Sequence, residues 1–318
     1  MDVVFTVDEK DAGTRLDVYL AHCSGLSRSR VKKLIDEGCA ALSDGSALKS
    51  SYHIRRDDVI AFTIPPVSEP AFLPEKIPLD IIFQDNHIIV VNKPPGMVVH
   101  PGRGNVTGTL ASALLYHCKR LSTVGGPFRP GIVHRLDMNT SGLMIAALSD
   151  EVHRVIARMI QNHEIIRTYT AFVWGHPKPE SGTIEAPVGR HHKKPTLQAV
   201  VEQGRPAITH YETVNHYEFL SKLSITLHTG RTHQIRVHMA SLGHHVFGDP
   251  SYGGREERLK GFSPEIRLRA AYFLKHLKRQ ALHAGRLEFT HPMTGKGLCF
   301  EVPLPDDMSE LEKALDER

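Results

Sequence analysis

The sequence predicts an α+β protein with a small N-terminal α/β unit and a large unit built on a mixed, mainly antiparallel β-sheet flanked by helices and loops. Two observations carry this. Beyond residue 78, strand-like segments adjoin other strands as often as helices, which disfavours a regular parallel sheet. Before it, Pro65, Pro66, Pro70, Pro74 and Pro78 crowd one short stretch. Proline fixes φ and removes a backbone donor, so this stretch is neither helix nor central strand. Residues 65–78 therefore read as an extended linker, and 318 residues suit about two domains.

In the N-terminal unit, Leu26–Gly38 has helical texture. Ser27 or Ser29 can cap it and Gly38 can end it. Val31, Leu34 and Ile35 recur at helical spacing. Arg28, Arg30, Lys32 and Lys33 crowd the other face, with only Asp36 and Glu37 following to offset them. A solvated helix face is the ordinary reading, and a contact with nucleic-acid phosphates is the one favoured here. Short strands are expected at Ala40–Leu42 and Val59–Ile64.

In the large unit, Ile81–Phe83 and Ile88–Val91 read as adjacent strands around an Asp85-Asn86 turn. Thr109–Leu115 reads as a helix and Leu143–Ala147 as a buried strand. Asp150–Asn162 is amphipathic, with Val152, Val155, Ile156, Met159 and Ile160 on one side and Ser149 as cap. Ile166–Val173 and Leu223–Leu227 alternate like strands. His233–Leu242 reads as a helix closed by Gly243, with Ile235, Met239 and Leu242 as its buried stripe. Leu287–Phe289 and Phe300–Val302 complete the sheet.

The net charge is +4, with 41% apolar and 23% charged residues, as in ordinary globular chains. Cys23, Cys39, Cys118 and Cys299 are far apart with no C-x-x-C pair, and are expected to be reduced, buried thiols. Met1–Gly13 is acidic and interrupted, unlike a signal peptide. No apolar run approaches the roughly 18 residues that span a bilayer. A cytoplasmic protein that is not bound to a membrane is expected.

Three segments can carry chemistry. In Gly131–Met144, an apolar stretch runs into His134-Arg135-Leu136-Asp137. Asn139-Thr140-Ser141-Gly142 then turns into the next strand. A carboxylate held between rigid strands suits a catalytic group, although an aspartate beside Asn and Thr commonly only caps a turn. In Thr229–Met239, a helical Arg236 lies at the core edge and needs a carboxylate partner, because an unpaired buried charge is costly. Asp137 is a candidate, and such a pairing keeps the aspartate ionised. In Arg167–Ala171, Tyr169 shares a strand face with Arg167. It reads as a core tyrosine, or as a platform for an extruded base.

Other chemistries find little support. His100, His134, His233 and His238 cluster around these segments, but His233 and His238 are five apart, unlike a helical zinc pair, so no metal is expected. No G-x-x-x-x-G-K-[ST] loop and no G-x-G-x-x-G after a strand is present, so no nucleotide cofactor is expected. Ser141 lacks the G-x-S-x-G elbow.

His134-Arg135-Leu136-Asp137 with Thr140-Ser141-Gly142-Leu143 resembles the signature of the RluA family of pseudouridine synthases. Asn92–Pro101 looks like that family's early motif and Thr229–Met239 its late one. Gly248-Asp249-Pro250-Ser251-Tyr252-Gly253 follows in order. Residues 13–64 are similar to an S4 RNA-binding domain, and the whole layout looks most like the RluD branch. The resemblance implies an S4 domain at 13–64, a linker at 65–78 and a catalytic domain at 79–306. It also implies an enzyme that isomerises uridines in structured RNA, above all large-subunit (23S) ribosomal RNA.

By that resemblance Asp137 is the catalytic aspartate. Arg135 enters the RNA stack when the uridine leaves it, Tyr169 packs on the base, and Arg236 pairs with Asp137. Arg15, Arg28, Arg30, Lys32 and Lys33 are the expected RNA contacts of the S4 unit. Met138-Asn139 and Ala147-Leu148-Ser149 depart from the family's more polar pattern and leave nearby RNA contacts open. The reaction is an isomerisation, so no cofactor is implied. The partner is ribosomal RNA or a pre-ribosomal particle, and the enzyme is expected to be a monomer. Whether Asp137 attacks the ribose or removes a proton from it stays open. The alternatives are a non-catalytic S4-type RNA-binding ribosome-assembly factor and a metal-dependent hydrolase using the histidines.

Overall fold

The structure, a computed structural model, describes residues 2–26, 28–64, 73–102 and 105–317, with Ser29 and Arg30 described by backbone alone. Ser27, the side chain of Arg30, and Pro65, Pro66 and Pro70 lie outside the described residues. The chain divides into two compact units, residues 1–70 and 71–318.

In the first unit β1 (Asp2–Thr6), β2 (Ala40–Leu42) and β3 (Val59–Thr63) form an antiparallel sheet in the order β1-β3-β2. Helices α1 (Leu16–Ser24) and α2 (Arg28–Asp36) complete it. Val31, Leu34 and Ile35 turn inward onto Leu16, Leu20, Ile60 and Phe62. The unit starts earlier than Gly13, because every residue of β1 is in register with β3, from Asp2 opposite Thr63 to Thr6 opposite Val59.

The second unit runs through β4 (Asp80–Gln84), β5 (Ile88–Lys93), α3 (Leu110–His117), β6 (Ser141–Ala147), α4 (Asp150–Gln161), β7 (Ile166–Trp174) and β8 (Ser181–Glu185). Then come β9 (Val188–Arg190), β10 (Gln198–Val200), β11 (Ile208–His216), β12 (Leu220–Leu227), α5 (Gln234–Ser241), α6 (Pro264–His276), β13 (Leu282–Thr290), β14 (Gly297–Glu301) and α7 (Asp306–Asp316). Nine strands make one mixed sheet in the order β4-β5-β6-β13-β7-β12-β11-β8, with β14 added on β13. Among the described strands of this sheet, only β6 and β13 pair in parallel.

Strand parity decides which face each residue serves. Along β5, Ile89 and Val91 join a core with α3 and α5, while Ile88 and Val90 join one with α4. Along β7, Tyr169, Ala171 and Val173 take the α3/α5 side; Phe172 and Trp174 pack with α6 and α7. All of β6 is buried, as its continuous apolar run requires. Helix starts follow their caps: Thr109 accepts from Ser112 N (3.1 Å), and Ser149 from Val152 N (3.3 Å).

Several expectations need correction. The linker ends before residue 78, because Glu75 N donates to Ser112 O and the Glu75 carboxylate accepts from Gly108 N. The large unit does not stop at 306, since Met308, Leu311 and Leu315 of α7 belong to its core. Leu242 is exposed because it lies past the last turn of α5. All four cysteines are free, but only Cys118 is buried; Cys23 and Cys299 are exposed. Among the described residues, no helix is long and apolar enough to cross a membrane.

Candidate active site

Asp137 sits in the loop between Ile132, which bridges to Ala146, and the start of β6. Three successive carbonyls fix that loop. Thr140 N donates to Asp137 O (3.0 Å). Gly96 N (2.9 Å) and Lys93 Nζ (3.0 Å) donate to Met138 O. Arg279 Nη1 donates to Asn139 O (3.1 Å). Lys93 is fully buried, and its other two protons go to Pro94 O (2.8 Å) and Met97 O (3.0 Å). Burial, with the charge of Arg279, pulls this ammonium down to about 7, against the pull of Asp137. Arg279 is held in turn by Asp307 of α7, through Nε (2.6 Å) and Nη2 (2.7 Å).

The carboxylate of Asp137 accepts from Arg236 Nη1 (3.1 Å) at Oδ2. Arg236 is 5% exposed. Its stronger partner is Asp249, reached through Nε (2.6 Å) and Nη2 (2.8 Å). The Asp249 side chain is wholly buried, and its Oδ1 also accepts from Ser251 N (2.8 Å) and Tyr252 N (3.2 Å). The guanidinium stands over the Tyr252 ring, 4.8 Å from its centre. Desolvation acts against the arginine's charge, but the two aspartates outweigh it and raise its pKa.

His233 supplies the other flank. It caps α5 with a positive φ of 58°, a strained setting for a non-glycine residue. The Tyr252 hydroxyl accepts from Gln198 N (2.9 Å) and shares a hydrogen bond of 2.7 Å with His233 Nδ1. His233 Nε2 stands 3.9 Å from Asp137 Oδ1, which is beyond hydrogen-bond length. Burial lowers the imidazole's pKa, opposed by Asp137.

These groups open on a cavity of about 490 Å³. Asp137, Arg135, Tyr169, Arg236 and the turn around Gly230 line it. Arg135 is exposed and Tyr169 is 5% exposed. Desolvation raises the tyrosine's pKa, so its hydroxyl stays protonated. The site thus offers one carboxylate, held by a cation, beside an aromatic wall. That suits attack on, or proton removal from, a sugar whose base lies against the ring.

The structure brings together Asp137, Arg135, Tyr169 and Arg236. In the first unit Arg15 Nε (3.0 Å) and Arg28 Nε (2.9 Å) both grip Asp17, whose carboxyl Arg15 above all holds down at about 2. Lys32 is exposed, and Lys33 pairs with Glu37 at 3.5 Å. Sequence reasoning assigns no role to Lys93, Asp249, Tyr252 or Arg279, and weighs His233 only as a metal ligand. The Gly248–Gly253 segment takes part in the family resemblance, and an aspartate between Gly and Pro is its only local signal. Among the described residues, no group of three or more His, Cys, Asp or Glu side chains is placed to share a metal ion.

The family model described as RNA pseudouridylate synthase matches residues 87–241, which hold Asp137, Tyr169 and Arg236. The chain is 43% identical over 316 residues to Ribosomal large subunit pseudouridine synthase D of Zymomonas mobilis, covering 98% of this chain and 96% of that protein. It is 40% identical over 307 residues to the uncharacterized RNA pseudouridine synthase YlyB of Bacillus subtilis, covering 96% and 95%. Among solved structures, Human RNA Pseudouridylate Synthase Domain Containing 1 superposes with a TM-score of 0.53 at 24% identity, over 76% of this chain and 96% of that one, and so shares the fold. With identity at this level along almost the whole chain, the protein belongs to the RNA pseudouridylate synthase family and is an RNA pseudouridine synthase.

Proposed function

We propose that this enzyme converts specific uridines of large-subunit ribosomal RNA to pseudouridine, with Asp137 as its catalytic residue. The observation that carries the reading is the 3.1 Å pair between Asp137 and Arg236 on the wall of a cavity shared with Tyr169. The names of relatives aligned along nearly their whole length support the choice of RNA.

The C1′–N1 bond breaks, the uracil turns, and C1′ joins C5. One proton leaves C5 and one is gained at N1, so no oxidant or reductant enters the balance. Asp137 acts at the ribose, either by attack or by proton removal. Arg236 holds its carboxylate in place. Tyr169 holds the extruded base and Arg135 fills the vacated stack, which offsets the few kcal/mol of unstacking. The first unit serves as an S4 RNA-binding domain that adds salt-sensitive affinity. The enzyme works in the cytoplasm as a monomer.

The test is a pseudouridine map of large-subunit ribosomal RNA from cells with and without the gene, paired with purified enzyme on unmodified transcript. Sites that vanish in the deletion and return in vitro are expected. An unchanged map overturns the choice of ribosomal RNA.

A further inference from the structure

Three arginines of the large unit are buried to a similar degree: Arg167 (6% exposed), Arg236 (5%) and Arg279 (6%). Arg236 has Asp249 and Asp137, and Arg279 has Asp307. Among the described residues, the Arg167 side chain has no carboxylate and no hydrogen-bond partner, and its Nε is buried and unsatisfied. It lines the same cavity as Asp137. Its Nη1 stands 3.2 Å from where a Cβ on Gly230 would lie, so that glycine leaves the side of the guanidinium open.

A second unsatisfied donor lines the same wall. His134 Nε2 accepts from Ile145 N (3.2 Å), which puts the proton on Nδ1, and Nδ1 is buried without a partner. A desolvated cation without a counter-charge is costly. The molecule that enters this cavity therefore has to supply the charge.

We propose that Arg167, assisted by the Nδ1–H of His134, receives a phosphate of the RNA backbone next to the target uridine. The inference rests on reading the cavity as the RNA site. The missing element is negative charge, which a phosphate carries and a neutral uracil carbonyl does not. The planar guanidinium fork fits two phosphate oxygens. Arg167 precedes Tyr169 by two positions on one strand face, about 6–7 Å away. A nucleotide whose base packs on Tyr169 can place its backbone there.

The experiment measures binding of in vitro transcribed large-subunit ribosomal RNA to Asp137→Asn protein across a KCl series, with and without Arg167→Met or Arg167→Lys. Single-turnover rates are measured in the otherwise wild-type background. Arg167→Met is expected to weaken binding about tenfold and to lower the salt slope by about 0.7–0.9, one phosphate contact. Arg167→Lys should keep the slope and lose only part of the affinity. The melting temperature of Arg167→Met should not fall, since an uncompensated charge has been removed.

An unchanged slope overturns the proposal. If the rate alone falls, the cation serves the base; if melting alone falls, the arginine is structural. Failure of wild-type enzyme to form pseudouridine in the same transcript sinks the parent reading and is scored apart from the slope.

Discussion

Arg236 donates two hydrogen bonds to Asp249 and one to Asp137, so the Asp137 carboxylate is the second claimant on a cation already committed elsewhere. The position of the guanidinium is set from behind by Asp249. Asp249→Ala is therefore expected to slow turnover at least tenfold and to cost about 3–5 kcal/mol of folding stability, because a buried charge loses its partner. Arg236→Ala, which strands two carboxylates, should cost more in both respects. Single-turnover rates and urea unfolding check this. An Asp249→Ala enzyme with normal rate would mean that Asp137 alone positions the arginine.

Asp137→Asn keeps the shape of the side chain and its place between the fixed carbonyls. It should bind RNA with affinity close to wild type and form no pseudouridine. Primer extension after carbodiimide treatment detects the product. Measurable turnover would remove Asp137 from the chemistry.

Lys93 ties the loop of Asp137 to the Asn92–Met97 turn through three carbonyls. Lys93→Met leaves buried acceptors short of donors, each worth about 1–3 kcal/mol, partly offset by removal of a buried charge. A stability loss of about 2–3 kcal/mol is expected, with kcat falling more than KM rises. An equal change in both would place the defect in binding rather than in loop position.

Burial, with the charge of Arg167, pulls His134 down to about 3. Burial pulls His283, whose Nδ1 meets Ser141 Oγ at 3.0 Å, down to about 4. Both lie below the value near 6.5 of an unfolded histidine. As pH falls from about 6.5 to about 4, the unfolded chain takes up protons that the folded one refuses, so stability is lost across that window and is unaffected above it. Replacing both by Gln should reduce the slope by up to about 2.7 kcal/mol per pH unit. Urea midpoints at several pH values measure it, and an unaltered slope would count against the buried neutral state.

In the first unit, Lys32→Gln with Lys33→Gln should lower the salt slope of RNA binding by about one to two without changing the melting temperature. Arg28→Gln should lower melting instead, because Asp17 loses one of its two cations. Equal behaviour of the two variants would contradict the division of labour among these cations.

Elements built from local signals were legible in the sequence. The β4–β5 hairpin turns at Asp85, which accepts from His87 N and Ile88 N, and α4 carries its own cap and stripe. The Asp137–Arg236 pair joins residues 99 positions apart, so no local signal marks it; the need of a half-buried arginine for a carboxylate and the family resemblance point to it. Asp249 escaped because nothing local marks an aspartate as the stronger of two partners. The strand β1 escaped because its pairing with β3 is remote. Leu242 was misplaced because periodicity does not say where a helix ends.

The bond from Arg279 to Asn139 O depends on Asp307, in a helix that follows every other element of the fold. During synthesis, the loop bearing Asp137 is made long before the side chain that steadies it leaves the exit tunnel. That loop is therefore fully held only once α7 has been made and has folded, however early its own residues were added.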